Sequence, residues 1–106
     1  NNLKLIKSIL TEIVGGPEKI LENHYLEGPI ETPKFYVPES RLAVELIEDR
    51  SYYPSSTKLN NTFIHRNRMM KLHNNRTVFI NGRLIDKLKE NNNHGLKKLI
   101  ERAITE

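Results

Sequence analysis

The sequence predicts a small domain that mixes helices and strands, of the α/β (α+β) class, and three observations predict it. Apolar residues near the start recur at the spacing of one helical face. Two short β-prone runs follow around a proline turn, and helical and strand patterns then alternate to the end. At 106 residues the chain fits one domain, because domains usually run to about 100 to 200 residues.

Leu3, Ile6, Ile9, Leu10, Ile13 and Val14 form one helical stripe, and Gly15-Gly16 followed by Pro17 stops it. Pro17 can open a short second helix carrying Ile20 and Leu21, after which Gly28-Pro29 and Pro33 forbid a regular element until about Lys34. Residues 1–33 are expected to be an N-terminal helical extension and 34–104 the core of a single domain over 1–106. Phe35-Tyr36-Val37 and Leu42-Ala43-Val44-Glu45-Leu46-Ile47, split by Pro38-Glu39-Ser40, predict a β-hairpin. The second run is apolar on both parities except at Glu45, the pattern of a central strand covered on two faces.

After a polar loop at 48–58, Asn60, Asn61 or Thr62 can cap a helix running to about His73, with Phe63, Met70, Ile64 and Met69 inward. Thr77-Val78-Phe79-Ile80 is a compact strand closed by Asn81-Gly82, and Leu84, Ile85 and Leu88 predict a short amphipathic helix. Asn91 to Gly95 is a linker to a last helix with Leu96, Leu99, Ile100 and Ala103 as its seam. The asparagine runs read as compositional bias at element boundaries.

Composition narrows the function. Hydrophobic residues make up 37 % and charged residues 28 %, which supports a modest core. No apolar run approaches the ~18 to 20 residues of a membrane span, so no membrane partner is expected. The chain has no cysteine, which excludes disulfides and thiolate metal sites. Asn1-Asn2 leads straight into the helical pattern, and a larger parent chain N-terminal to residue 1 is expected. His24, His65, His73 and His94 show no metal-ligand spacing, and no Gly-rich phosphate loop or Gly-x-Ser-x-Gly context occurs. Neither metal nor cofactor is expected.

The net charge of +4 conceals a segregation: residues 1–53 carry six Lys/Arg against nine Asp/Glu, and residues 54–106 eleven against four. Nothing acidic occurs between Asp49 and Asp86, where Arg50, Lys58, Arg66, Arg68, Lys71, Arg76 and Arg83 fall beside His65 and His73. So long a stretch without counter-charge points to an anionic partner, and phosphate is the expected group. Arg66 and Arg68, with Lys71 a turn on, are expected to project together from the helix towards the end of the sheet that carries Glu45, where guanidinium groups can bind phosphate by paired hydrogen bonds. Tyr52 and Tyr53 could stack on unpaired bases or pin their loop. Lys34 is either a phosphate contact or an exposed strand-start lysine. Glu45 reads as a structural carboxylate of the cleft, requiring a partner that Arg66, Arg68 or Lys34 could supply.

A helix, a hairpin, a helix on the sheet and a further strand form the core of the restriction-endonuclease-like fold, whose active members hold a divalent metal on hairpin carboxylates. Here Glu45 has the right kind of place, but Ile47 stands two residues on and the first strand offers Lys34, Phe35, Tyr36 and Val37. The run Phe35-Tyr36-Val37-Pro38-Glu39-Ser40-Arg41-Leu42-Ala43-Val44-Glu45-Leu46 resembles the hairpin of the RAP domain, the RNA-binding domain abundant in apicomplexans. Arg66 through Ile80 resembles that family's basic helix and following strand, and the final helix with Leu96, Leu99 and Ile100 is similar to its closing helix. The family often has Asp where Lys34 stands and Trp where only Leu84 or Ile85 could serve.

The resemblance implies a non-catalytic RNA-binding domain of a mitochondrial protein, with rRNA and ribosomal proteins as partners, acting in rRNA processing, ribosome assembly or translation. Lys34, Arg50, Tyr52, Tyr53, Lys58, His65, Arg66, Arg68 and Arg76 are then the expected RNA contacts. Two other readings stay open: a metal-dependent RNA endonuclease using Glu45, Glu48 and Asp49, and a mitochondrial ribosomal protein acting mainly through protein contacts.

Overall fold

The computed structural model describes residues 2–27, 32–48 and 59–106. Helix α1 (Asn2–Val14) leads through a 3-10 turn to strand β1 (Leu21–Glu22), then β2 (Phe35–Val37), β3 (Leu42–Ile47), α2 (Asn61–Leu72), β4 (Arg76–Asn81), α3 (Ile85–Leu88) and α4 (Glu90–Thr105). The strands form one mixed sheet in the order β1-β2-β3-β4, with β1–β2 and β2–β3 antiparallel and β3–β4 parallel. The α+β class and the hairpin are as the sequence predicts. The parallel pair follows from α2, which carries the chain back across the sheet before β4 begins.

Register decides which residues meet. Val44 pairs with Phe35 on one side and Val78 on the other, and Leu46 with Ile80, so these side chains share a face. With Ile6, Ile9, Leu10, Ile85, Leu96 and Ile100 they make the main core, under α1, α3 and α4. Each such side chain contributes roughly 1.5–3 kcal/mol of burial free energy. The opposite face carries Tyr36, Ala43, Glu45, Thr77 and Phe79. Among the described residues it carries a smaller apolar cluster of Tyr36, Ala43 and Met70, with Leu21 and Leu26 alongside and Phe63 buried against Phe79, and α2 is the helix that lies there.

Three expectations need correction. Residues 1–33 are not an appendage: Ile6 and Leu10 are fully buried in the main core, and β1 extends the sheet. The helix expected after Pro17 is a single 3-10 turn, Pro17–Lys19, because Ile20 is already extended and Leu21 pairs with Tyr36. Leu84 is 54 % exposed, and Ile85 fills the core with Leu88 packed against it. The helix stop holds, with Gly15 at φ 93 in the left-handed region that glycine enters freely.

The asparagines do structural work that composition hides. Asn23, Asn74, Asn91, Asn92 and Asn93 all have positive φ, a conformation asparagine tolerates better than other residues with a Cβ. The left-handed run at Asn91–Asn93 forms the expected linker, turning the chain between α3 and the regular part of α4. Asn60 caps α2 by accepting a 3.0 Å hydrogen bond from the Phe63 amide.

Candidate nucleic-acid interface

Glu45 lies on the α2 face of the central strand β3, opposite Phe79 in the parallel register. From its Asn60 cap, α2 points Phe63, Arg66 and Met70 inward at i, i+3 and i+7, so the guanidinium of Arg66 arrives over Glu45. The Arg66 Nη2 donates to Glu45 Oε2 at 2.6 Å, with side-chain exposures of 17 % and 8 %. The same guanidinium stands 5.4 Å from the Phe63 ring centroid, and Phe63 leans on Phe79 at 5.3 Å. A buried carboxylate is costly to leave without a counter-charge, so the pair fixes where α2 sits.

Pro33, Asn67, Met70 and Thr77 close the space around this pair, leaving a cavity of about 10 Å³, room for roughly one water molecule. The space beside Glu45, where phosphate binding was expected, is therefore filled. This corrects the expectation that Arg66 and Arg68 project together: residues two apart on a helix lie on nearly opposite sides, so Arg66 turns in and Arg68 turns out. Arg66 serves Glu45, one of the partners the sequence offered for that carboxylate, and its role as a direct RNA contact is withdrawn.

Arg76 is also engaged within the protein. Its Nε and Nη2 donate to the Ser40 carbonyl at 3.3 and 3.1 Å, and its Nη1 to the carbonyls of Ala103 and Glu106 at 2.8 and 2.9 Å. These close the C-terminal end of α4, where free carbonyls and the negative end of the helix dipole favour a cation. Arg76 too is removed from the RNA contacts. Arg41, not singled out from the sequence, does the same for α2, donating to the carbonyls of Asn74 and His73 at 3.0 and 2.6 Å. No local signal marks Arg41, because its acceptors lie 32 and 33 residues away.

His65, Arg68 and Lys71 are exposed on the outward side of α2, joined by Leu72 at 73 % exposure. The helix contains no acidic residue. Lys34 is half-buried, one residue before the Phe35–Val44 pair and at the end of the hairpin where Glu45 stands. Arg50, Tyr52, Tyr53 and Lys58 lie outside the described residues.

Of the carboxylates proposed for metal chemistry, the two that are described do not share a site. Glu45 faces Arg66, whereas Glu48 borders a separate groove of about 580 Å³ with Asn2, Leu3, Leu46, Ile47, Gly82 and Arg83; Asp49 is outside the described residues. Among the described residues no three His, Cys, Asp or Glu side chains group as metal ligands. Gly82 sits where a Cβ would meet the Ile47 carbonyl oxygen at 2.8 Å, so the approach of β4's end to β3's end requires glycine.

Neither family models, nor curated proteins, nor solved structures yield a match to this chain.

Proposed function

We propose that the chain is a RAP-like RNA-binding domain of a mitochondrial protein acting in rRNA processing, ribosome assembly or translation, and that it holds RNA backbone without catalysis. The observation that carries the reading is the outward face of α2: His65, Arg68 and Lys71 stand exposed on a helix with no carboxylate, while the nearest buried acid, Glu45, is already neutralised by Arg66. The field outside α2 is therefore positive, and phosphate oxygens are its natural complement. The resemblance of the hairpin and basic helix to the RAP domain supports RNA over other polyanions and supplies the organelle. The contact surface is the exterior of α2, since the space over Glu45 admits no nucleotide.

Fluorescence anisotropy with a single-stranded RNA oligonucleotide tests this. Affinity should fall steeply with salt, with a slope of about −0.7 per phosphate contacted. The double reversal Arg68→Glu with Lys71→Glu should abolish binding while leaving the circular dichroism unchanged. Binding insensitive to salt, or unaltered in that variant, would overturn the proposal.

A further inference from the structure

The two ends of the sheet are built differently. Strand β1 has two residues, and its Glu22 holds Lys7 across 2.8 Å. A short edge with charged side chains resists pairing with another chain. Strand β4 has six residues, Arg-Thr-Val-Phe-Ile-Asn, with no proline and no lysine, and the sheet order ends on it. Its one charged side chain, Arg76, is turned onto the carbonyls of Ser40, Ala103 and Glu106. Among the described residues none of the usual guards protects this edge.

The direction of its backbone groups follows from one hydrogen bond. The Arg76 amide donates to the Arg41 carbonyl at 2.8 Å, so Arg76, Val78 and Ile80 point their amides and carbonyls at β3. Thr77, Phe79 and Asn81 therefore point theirs to the outer edge. We infer that β4 pairs antiparallel with β4 of a second copy of this chain, about a two-fold axis at Phe79. That register sets Phe79 opposite its own mate and Thr77 opposite Asn81, the pairs whose backbone groups both face outward. It also sets Val78 opposite Ile80 on the other face, so every contact joins like chemistry and no like charges meet. A second copy fits this edge because, of the registers that oppose outward-facing residues, the one centred on Phe79 pairs like side chains with like along the strand. The result is a continuous eight-stranded sheet, twice the four strands of one chain, with both α2 helices on the same side. This dimer is independent of the RNA reading.

Sedimentation equilibrium and residue-resolved hydrogen exchange on the whole chain, at rising concentration, test it. The mass should double, and exchange at the Thr77, Phe79 and Asn81 amides should slow ~tenfold or more with concentration, while Val78 and Ile80 are protected throughout. Thr77→Pro removes an outward amide without touching the bonds to β3, and should hold the chain monomeric with unchanged circular dichroism. Three results would each overturn the inference: a monomer at every concentration, a dimer that leaves those three amides exchanging fast, or protection independent of concentration, which would mean the edge is covered within the chain or by another segment.

Discussion

The two faces of the sheet are held by different physics. Under α1, α3 and α4 lies a continuous aliphatic layer in which Ile6, Leu10, Leu42, Ile80, Leu96 and Ile100 are almost wholly enclosed. Under α2 the apolar contacts are fewer, Tyr36, Ala43 and Met70 with Phe63 against Phe79, and the helix is secured also by the Glu45–Arg66 pair and by the Tyr36 hydroxyl donating to Asn75 Oδ1 at 2.7 Å. The first layer gains from non-directional burial, which tolerates a little repacking. The second depends on a few directional contacts in a closely packed site, each dependent on its partner. A helix that must keep a cationic exterior cannot also be broadly apolar, and α2 resolves this by burying one of its charges against a carboxylate.

The largest effect expected from breaking this contrast is at Arg66. Arg66→Met leaves Glu45 buried opposite a thioether and should cost about 3–5 kcal/mol in urea unfolding. Adding Glu45→Leu should restore most or all of it, because replacing both partners of a buried ion pair with apolar groups is often neutral or stabilising. If the double variant is no better than the single one, the pair is not what limits that face. On the aliphatic side, Ile100→Ala should cost about 2–5 kcal/mol, and no second substitution on the sheet should rescue it. Tyr36→Phe strands Asn75 and should cost about 1–3 kcal/mol, a directional loss from deleting one oxygen. Asn60→Ala, at the cap of α2, should cost about 1 kcal/mol by the same assay.

Much of the fold was legible because its signals are local. The stripe from Leu3 to Val14, the runs on either side of Pro38-Glu39-Ser40, and the cap at Asn60 each lie within one element, and each appears where periodicity puts it. The need of Glu45 for a partner was also readable, since an acid in a two-sided apolar strand is conspicuous. What could not be read were the long-range assignments. Arg76 and Arg41 look like any other members of a basic stretch, and only the fold brings the Ala103 and His73 carbonyls within their reach. The charge segregation was real in the chain but was partly absorbed inside it, so the surface available to an anion is narrower than the sequence suggested. The strand at Leu21–Glu22 was missed for a related reason: two residues form a strand only because Tyr36 and Phe35 are there to pair with them.

The guanidinium of Arg76 has one further consequence. It joins the turn before β3, the start of β4 and the final turn of α4, segments that span most of the chain's length. The terminal helix therefore does not fray on its own account. Peeling it away strips acceptors from a half-buried cation, so α4 and the middle of the sheet come apart together, and a protease probing that helix meets resistance set in the interior.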